Sequence, residues 1–314
     1  MGPEIGQGAC SSVHACTLPG SAGVFAVKVI KKSDIRGTQH LARLYREKDI
    51  LAACKHPGVV RFHRTFQDDE RLILLLDLVR GGTLLWHMRQ SPQKCLAVRD
   101  ARTCVAQLLV ILRDLHRDRV LYRDIKPTNI MFDEEGRMRL VDFGHAKRVH
   151  GEERSHSAVG TPHYMAPEMV LGAGHGLPAQ LWAVGVLLVE VIVGTPPFVG
   201  ATEEELFERI LEEGPNEALL RSCGAGGAVA DAARKLLAKD PDTRLRHFPG
   251  AFASVLEHPA FADVDVAAIE AGKVPQTELD FSRHVTLLDD MIGPLSRGSD
   301  RSGAHTDADP FADF

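Results

Sequence analysis

Two short polar runs constrain this chain more than anything else in it: Tyr122-Arg123-Asp124-Ile125-Lys126-Pro127-Thr128-Asn129 and, close behind, Asp142-Phe143-Gly144. The first reads as a loop that can position a hydroxyl nucleophile. Asp124 can accept the proton of an attacking alcohol, and Lys126 can neutralise charge that builds up on the group being transferred. Asn129 and Asp142 offer the hard oxygen ligands that Mg²⁺ prefers. Either run alone occurs by chance. Their order, with the apolar strand-like run Met138 to Val141 leading into Asp142, does not.

In these residues the chain resembles the eukaryotic protein kinases, and the flanking sequence agrees with them. Ile5-Gly6-Gln7-Gly8-Ala9-Cys10-Ser11-Ser12-Val13 is similar to the glycine-rich loop that folds over ATP phosphates, with Ser11 in place of the third glycine. Glycines there let backbone N–H groups approach the phosphates closely. By itself this run would read as an ordinary hairpin. Val24 to Ile30 then alternates as a half-buried strand carrying one lysine, Lys28. Thr38 to Lys55 reads as a helix with Leu41, Leu44, Ile50 (or Leu51) and Cys54 on an apolar face, and Glu47 within it matches the glutamate that pairs with that lysine. As a bare pattern, Glu47 could equally be one more charge on a solvated helix face.

The resemblance implies an α+β, bilobal fold: a small β-rich lobe over residues 1–79, a larger helical lobe over 80–279, and a tail over 280–314. It implies Mg²⁺ and ATP as cofactors. Asp124 and Lys126 would be catalytic, and Asn129 and Asp142 would hold metal. Ile5, Gly6, Gly8, Val13, Ala26, Lys28, Glu47, Leu76, Asp77, Val79 and Met131 would enclose the nucleotide. Leu76 would guard the back of the adenine pocket, with Asp77-Leu78-Val79 as the hinge between lobes. Little of the strand leading into the glycine loop is expected, since the loop begins within five residues of Met1; a trimmed domain and an incomplete product both remain open.

The segment from Asp142 through His145-Ala146-Lys147-Arg148 to Gly160-Thr161-Pro162-His163-Tyr164-Met165-Ala166-Pro167-Glu168 resembles the AGC group, most of all its cyclic-nucleotide-dependent members. Tyr122 and the closing Phe311-Ala312-Asp313-Phe314 agree. The resemblance implies a phosphosite at Ser157, with Arg43, Arg123 and Lys147 around it, and a tail whose Phe311 and Phe314 pack beside the Glu47 helix. It also implies a Glu168–Arg244 ion pair. The chain departs from the family at Gln180, where an aspartate usually holds the catalytic loop. It departs again at Thr83, Thr128 and His163, where carboxylates usually face substrate arginines; only Glu190 is kept, so a weak basic preference is expected.

Composition adds exclusions. A net charge of −5 without a basic block gives no reason to expect nucleic acid or an anionic membrane as partner. The six cysteines, at 10, 16, 54, 95, 104 and 223, show no paired metal-ligand spacing and read as reduced thiols. Leu181 to Val193 is too short to span a bilayer and contains Glu190. Helices are expected over Ala97–Arg117, Pro178–Val193, Thr202–Glu213 and Ala228–Ala238. After about residue 275 the sequence turns polar and aperiodic and reads as extended. Partners are expected to be protein substrates and a regulatory subunit or region, with a cytoplasmic or nuclear location. Two alternatives stand beside an active serine/threonine kinase. One is a pseudokinase that binds without chemistry, suggested by Ser11 and Gln180; the other is a small-molecule or lipid kinase, which the protein-type segment 142–168 disfavours.

Overall fold

In a computed structural model, residues 2–8, 10–21, 23–149, 160–222, 226–274, 277–293 and 314 are described. The first part is an antiparallel sheet with strands β1 (Glu4–Gln7), β2 (Ser12–Thr17), β3 (Val24–Lys31), β4 (Phe62–Gln67) and β5 (Arg71–Asp77), in the order β1-β2-β3-β5-β4. The strand before the glycine loop is present as β1, four residues long, paired with β2. Helix α1 (Gly37–Ala53) interrupts the sheet and buries Leu44, Glu47, Ile50 and Leu51. Leu41 is only half-buried, and Cys54 falls just past the helix end.

Beyond β5 the chain is mostly helical. Helix α2 (Leu84–Gln90) starts at Thr83, whose side chain accepts a hydrogen bond from Trp86 N and so satisfies an otherwise orphaned donor. Helix α3 (Val98–Arg117) buries the expected stripe Ala101, Val105, Leu108, Leu112 and Leu115. Short strands β6 (Val120–Leu121), β7 (Ile130–Phe132), β8 (Met138–Leu140) and β9 (Lys147–Arg148) pair β6 with β9 and β7 with β8. They frame the two polar runs. Next come α4 (Pro167–Val170), α5 (Leu177–Val193), α6 (Glu203–Glu212), α7 (Glu217–Ser222), α8 (Gly226–Leu236), α9 (Pro241–His247), α10 (Phe252–Leu256) and α11 (Val266–Glu270). Most of α5 is buried, as its apolar run requires. No helix among the described residues is long and apolar enough to cross a membrane.

Strand β8 joins the two parts directly. Val60 N donates to Leu140 O at 2.9 Å and Leu140 N to Gly58 O at 2.8 Å. Deeper in the helical part, the fully buried Arg244 donates to Glu168, and it also donates to Ala238 O at 2.6 Å and Pro178 O at 3.1 Å. A buried guanidinium is tolerable only with such a full set of acceptors.

One expectation fails. The stretch after 275 is not extended throughout: Phe281–Ile292 forms helix α12. Its signal was present, because Phe281, Leu288 and Ile292 are spaced for one face and Asp280 caps the N-terminus by accepting from Ser282 N at 3.0 Å. Charged neighbours masked that periodicity. The helix lies over the β5–α2 connection. Phe281 packs edge-on to His87 and tilted against Phe132, and His284 Nδ1 lies 2.6 Å from Arg80 O. Arg80 pairs with both Asp289 and Glu134. Leu288 and Ile292 reach back to Ala15, Ile5 and Leu78. Two glycines make this fit possible: a Cβ at Gly82 would meet the His284 ring at 2.8 Å and one at Gly136 the Phe281 ring at 2.4 Å, and both have left-handed backbones.

Phe314 is likewise buried. Its ring sits edge-on to Tyr45 of α1 at 5.5 Å, Lys48 Nζ lies 5.5 Å from its centre, and its carbonyl accepts from Thr65. Phe311 and Asp313, named with it in the sequence, lie outside the described residues.

Truncating Phe281 removes a ring from a site that Gly136 and Phe132 shape around it. Phe281→Ala should therefore destabilise the fold by about 3 kcal/mol, read as a lower midpoint in urea with an unchanged slope. A midpoint within error of the parent would show that α12 does not anchor there.

Candidate active site

Strand β3 and helix α1 bring the first set of predicted residues together. Lys28 Nζ lies 2.6 Å from Glu47 Oε1 and 3.0 Å from Asp142 Oδ1. Burial works against the charged ammonium, but the two carboxylates outweigh it and hold Lys28 above the ordinary lysine value. For Asp142 burial pulls the other way, yet Lys28, with Gly144 N at 3.3 Å, keeps its carboxyl below the usual range. Lys28 is thus held as an ammonium between two carboxyl groups. Lys28 pairs with Leu74 of β5 and Val13 of β2 in the sheet, so its position is set by backbone register.

The second set lies between β6 and β7. Asp124 is 3% exposed. Its Oδ2 receives Asn129 Nδ2 at 2.7 Å and lies 2.8 Å from Lys126 Nζ. Asn129 Nδ2 also reaches Asp124 O at 3.1 Å, so the amide nitrogen is engaged and the amide oxygen is the atom suited to a cation. Arg123 and Asp142 both have left-handed backbones, φ 67° and 56°. Non-glycine residues adopt that conformation at a cost, and such strain concentrates where side chains must be aimed.

Contacts through Val141 and Phe143 tie the two sets into one unit, and Gln180 anchors the second. Val141 N donates to Asn129 O at 3.0 Å. The Tyr122 hydroxyl donates to Val141 O at 2.5 Å, and its ring packs edge-on to Phe143 at 5.0 Å. Gln180 of α5, 3% exposed, accepts from Tyr122 N at 2.8 Å and Arg123 N at 3.2 Å through Oε1. The amide thus performs the anchoring expected of an aspartate, with dipole rather than full charge.

Of the residues expected around a nucleotide, Gly8, Lys28 and Glu47 line one cavity of about 590 Å³ with the expected metal ligand Asp142, together with Arg43 and His145. Gly6 pairs with Val13 across the β1–β2 hairpin, and Gly8 N donates to Ser11 O at 2.7 Å, closing the loop tip without a third glycine. Ala26 is buried and pairs with Leu76, and Val79 is also buried. Met131 bridges to Thr83 and Ile5 packs on the α12 side. The donor set fits magnesium. Among the described residues no group of three or more His, Cys, Asp and Glu could cage a metal; Asn129 and Asp142 offer protein oxygens of the kind that share magnesium with substrate phosphates.

Beside this cavity stands a cationic cluster. Arg123 Nε donates to His145 O at 2.7 Å and Arg43 Nε to Gly144 O at 3.4 Å. Burial, with Arg46 and Arg43 nearby, pushes Arg123 down to about 10. Burial also lowers His145, which feels Asp124, Arg43 and Asp142. Arg46 and His145 were missed as members by the sequence reading; only their adjacency to Glu47 and Gly144 signalled them. Lys147 falls in β9. Ser157 lies outside the described residues.

Residues 1–261 match the Protein kinase domain family. The serine/threonine-protein kinase AtPK2/AtPK19 of Arabidopsis thaliana is 33% identical over 270 residues, covering 86% of this chain and 56% of that protein. The cAMP-dependent protein kinase catalytic subunit of Dictyostelium discoideum is 31% identical over 261 residues, 83% of this chain and 39% of its own length. Ribosomal protein S6 kinase alpha-1 of Homo sapiens is 35% identical over 265 residues, 83% and 35% respectively. The chain therefore spans 35–56% of the length of these relatives. Sheet, helical part, paired lysine and two-loop site all agree with that match, and the chain belongs to the eukaryotic protein kinases, among those of AGC type.

Proposed function

We propose that this chain is an active serine/threonine protein kinase that transfers the γ-phosphoryl group of Mg-ATP to protein hydroxyls. The observation that carries this reading is the assembled Lys28–Glu47–Asp142 triad, beside an Asp124 already hydrogen-bonded to Asn129 and Lys126. In this reading Asp124 orients the substrate hydroxyl and takes its proton. Lys126 balances charge on the oxygens in transfer, and Lys28 aligns the phosphates. Asn129 and Asp142 would hold magnesium, which when bound neutralises phosphate charge. The proposed division is a small lobe to residue 79, a large lobe to 279, and a tail beyond.

A pseudokinase finds no support here. Gln180 still holds the catalytic loop, and the Gly8–Ser11 bond still closes the glycine loop. For substrate choice, the Thr83 hydroxyl caps α2, and Glu190 accepts from the Tyr164 hydroxyl, with burial raising its carboxyl above the usual range. Thr83 brings no charge, and Glu190 is already engaged by Tyr164, supporting a weak basic preference. Phosphate at Ser157 would meet Arg123, Arg43 and Lys147. A regulatory subunit or region, and a cytoplasmic or nuclear location, complete the reading.

Incubating the purified chain with labelled Mg-ATP and a peptide mixture should give phosphoserine or phosphothreonine. Asp142→Ala and Lys28→Ala should each lower kcat/KM by about 10²- to 10³-fold or more, with the fold itself retained by circular dichroism. Parent-level turnover in either variant would remove the assigned site. Mass spectrometry of the active enzyme should find phosphate on Ser157, and Ser157→Ala should lower activity; an unphosphorylated Ser157 with full activity in the variant would refute that role.

A further inference from the structure

Away from the catalytic cleft, a second cavity of about 550 Å³ opens where the last turn of α1, the loop into β4, the end of β5 and β8 meet. Its volume falls in the range of small-molecule sites. Leu51, Val59 and Phe62 give it apolar walls, while Lys55, Arg61 and Arg139 line it with positive charge. Lys55 and Arg61 are exposed, so their heads are free to turn onto an anion at this cavity. Among the described residues neither Lys55 nor Arg61 is paired with a carboxylate, and Arg139 shares Asp133 with Arg137. The one acid lining the cavity, Asp77, is 2.6 Å from His63 Nε2 through its Oδ1. His56 does not answer them either: its Nδ1 accepts from Gly58 N and its Nε2 faces Asp114 at 3.3 Å. The chain as a whole carries a net charge of −5, so this local excess runs against the overall balance.

We propose that this cavity binds a small organic phosphate, its phosphate held by Lys55, Arg61 and Arg139 and its carbon skeleton lying on Leu51, Val59 and Phe62. Guanidinium forks match phosphate oxygens in pairs, and charge-assisted hydrogen bonds of this kind are about twice as strong as neutral ones. The apolar walls argue for an attached ring or chain over bare phosphate. The site is separate from the phosphoryl-transfer reading and does not depend on it. Its position has a consequence, though. Leu51 lies one turn beyond Glu47 on α1, and Arg139 lies in the strand that leads to Asp142. An occupant would bridge the two elements that carry the carboxylates on Lys28.

The test is isothermal titration of 1-naphthyl phosphate into the full chain, with the catalytic cleft filled by saturating magnesium and a non-hydrolysable ATP analogue. Saturable binding is expected, with 1-naphthol and inorganic phosphate each weaker. Lys55→Met with Arg61→Met should weaken it by at least about tenfold, since two charged contacts are lost. Lys55→Arg with Arg61→Lys should retain it, because the charges stay in place. No saturable binding, or equal affinity in the double-Met variant, would overturn the proposal.

Discussion

The ammonium of Lys28, held between Glu47 and Asp142, is the contact on which the arrangement of this molecule depends. It joins a strand, a helix and a loop that are far apart in sequence. Lys28 and Glu47 are drawn from water into the protein, where each needs the other, while the Asp142 side chain stays half exposed. Burial opposes the charge on Lys28 and on Asp142, and in both cases the opposite partner wins. The geometry is therefore self-selecting. If α1 swung outward, Glu47 would leave and Lys28 would face Asp142 alone.

Around that contact the structure uses neutral supports where charge would be redundant. Gln180 holds two consecutive backbone N–H groups of the catalytic loop with one amide oxygen. Tyr122 fastens the same loop to the residue before Asp142 through its hydroxyl and braces Phe143 with its ring. Farther out, α12 and Phe314 brace the sheet from two sides, one at the β5–α2 connection and one at α1. Both bear on the elements that position Lys28 and Glu47. Burying two such rings gains on the order of several kcal/mol gross, partly offset by ordering the chain that brings them there.

The site was legible in the sequence because its chemistry leaves little freedom. A metal carboxylate, a base and a phosphate-aligning lysine must be those residue types, and tight loops keep their spacing short. Helices α3 and α5 were legible for a different reason, since their long apolar runs have only one buried solution. What escaped was set by tertiary packing. Helix α12 hid because its apolar face is narrow and interrupted by Asp289 and Asp290. The Arg46 and His145 contributions hid because neither has a motif of its own; each acquires a role only when α1 and the loop after Asp142 come together. The effect of Gln180 also could not be read from its identity, only from finding its oxygen on Tyr122 N and Arg123 N.

A double-mutant cycle on Lys28 and Glu47 tests the central claim most directly. Steady-state kcat/KM for peptide phosphorylation would be measured for the parent, Lys28→Met, Glu47→Gln and the double variant. If Glu47 acts by holding Lys28, the double variant loses hardly more than Lys28→Met alone, and the two losses are strongly non-additive. Losses that simply add would contradict the account, because they would mean that Lys28 and Glu47 contribute independently and that the triad does not assemble the site.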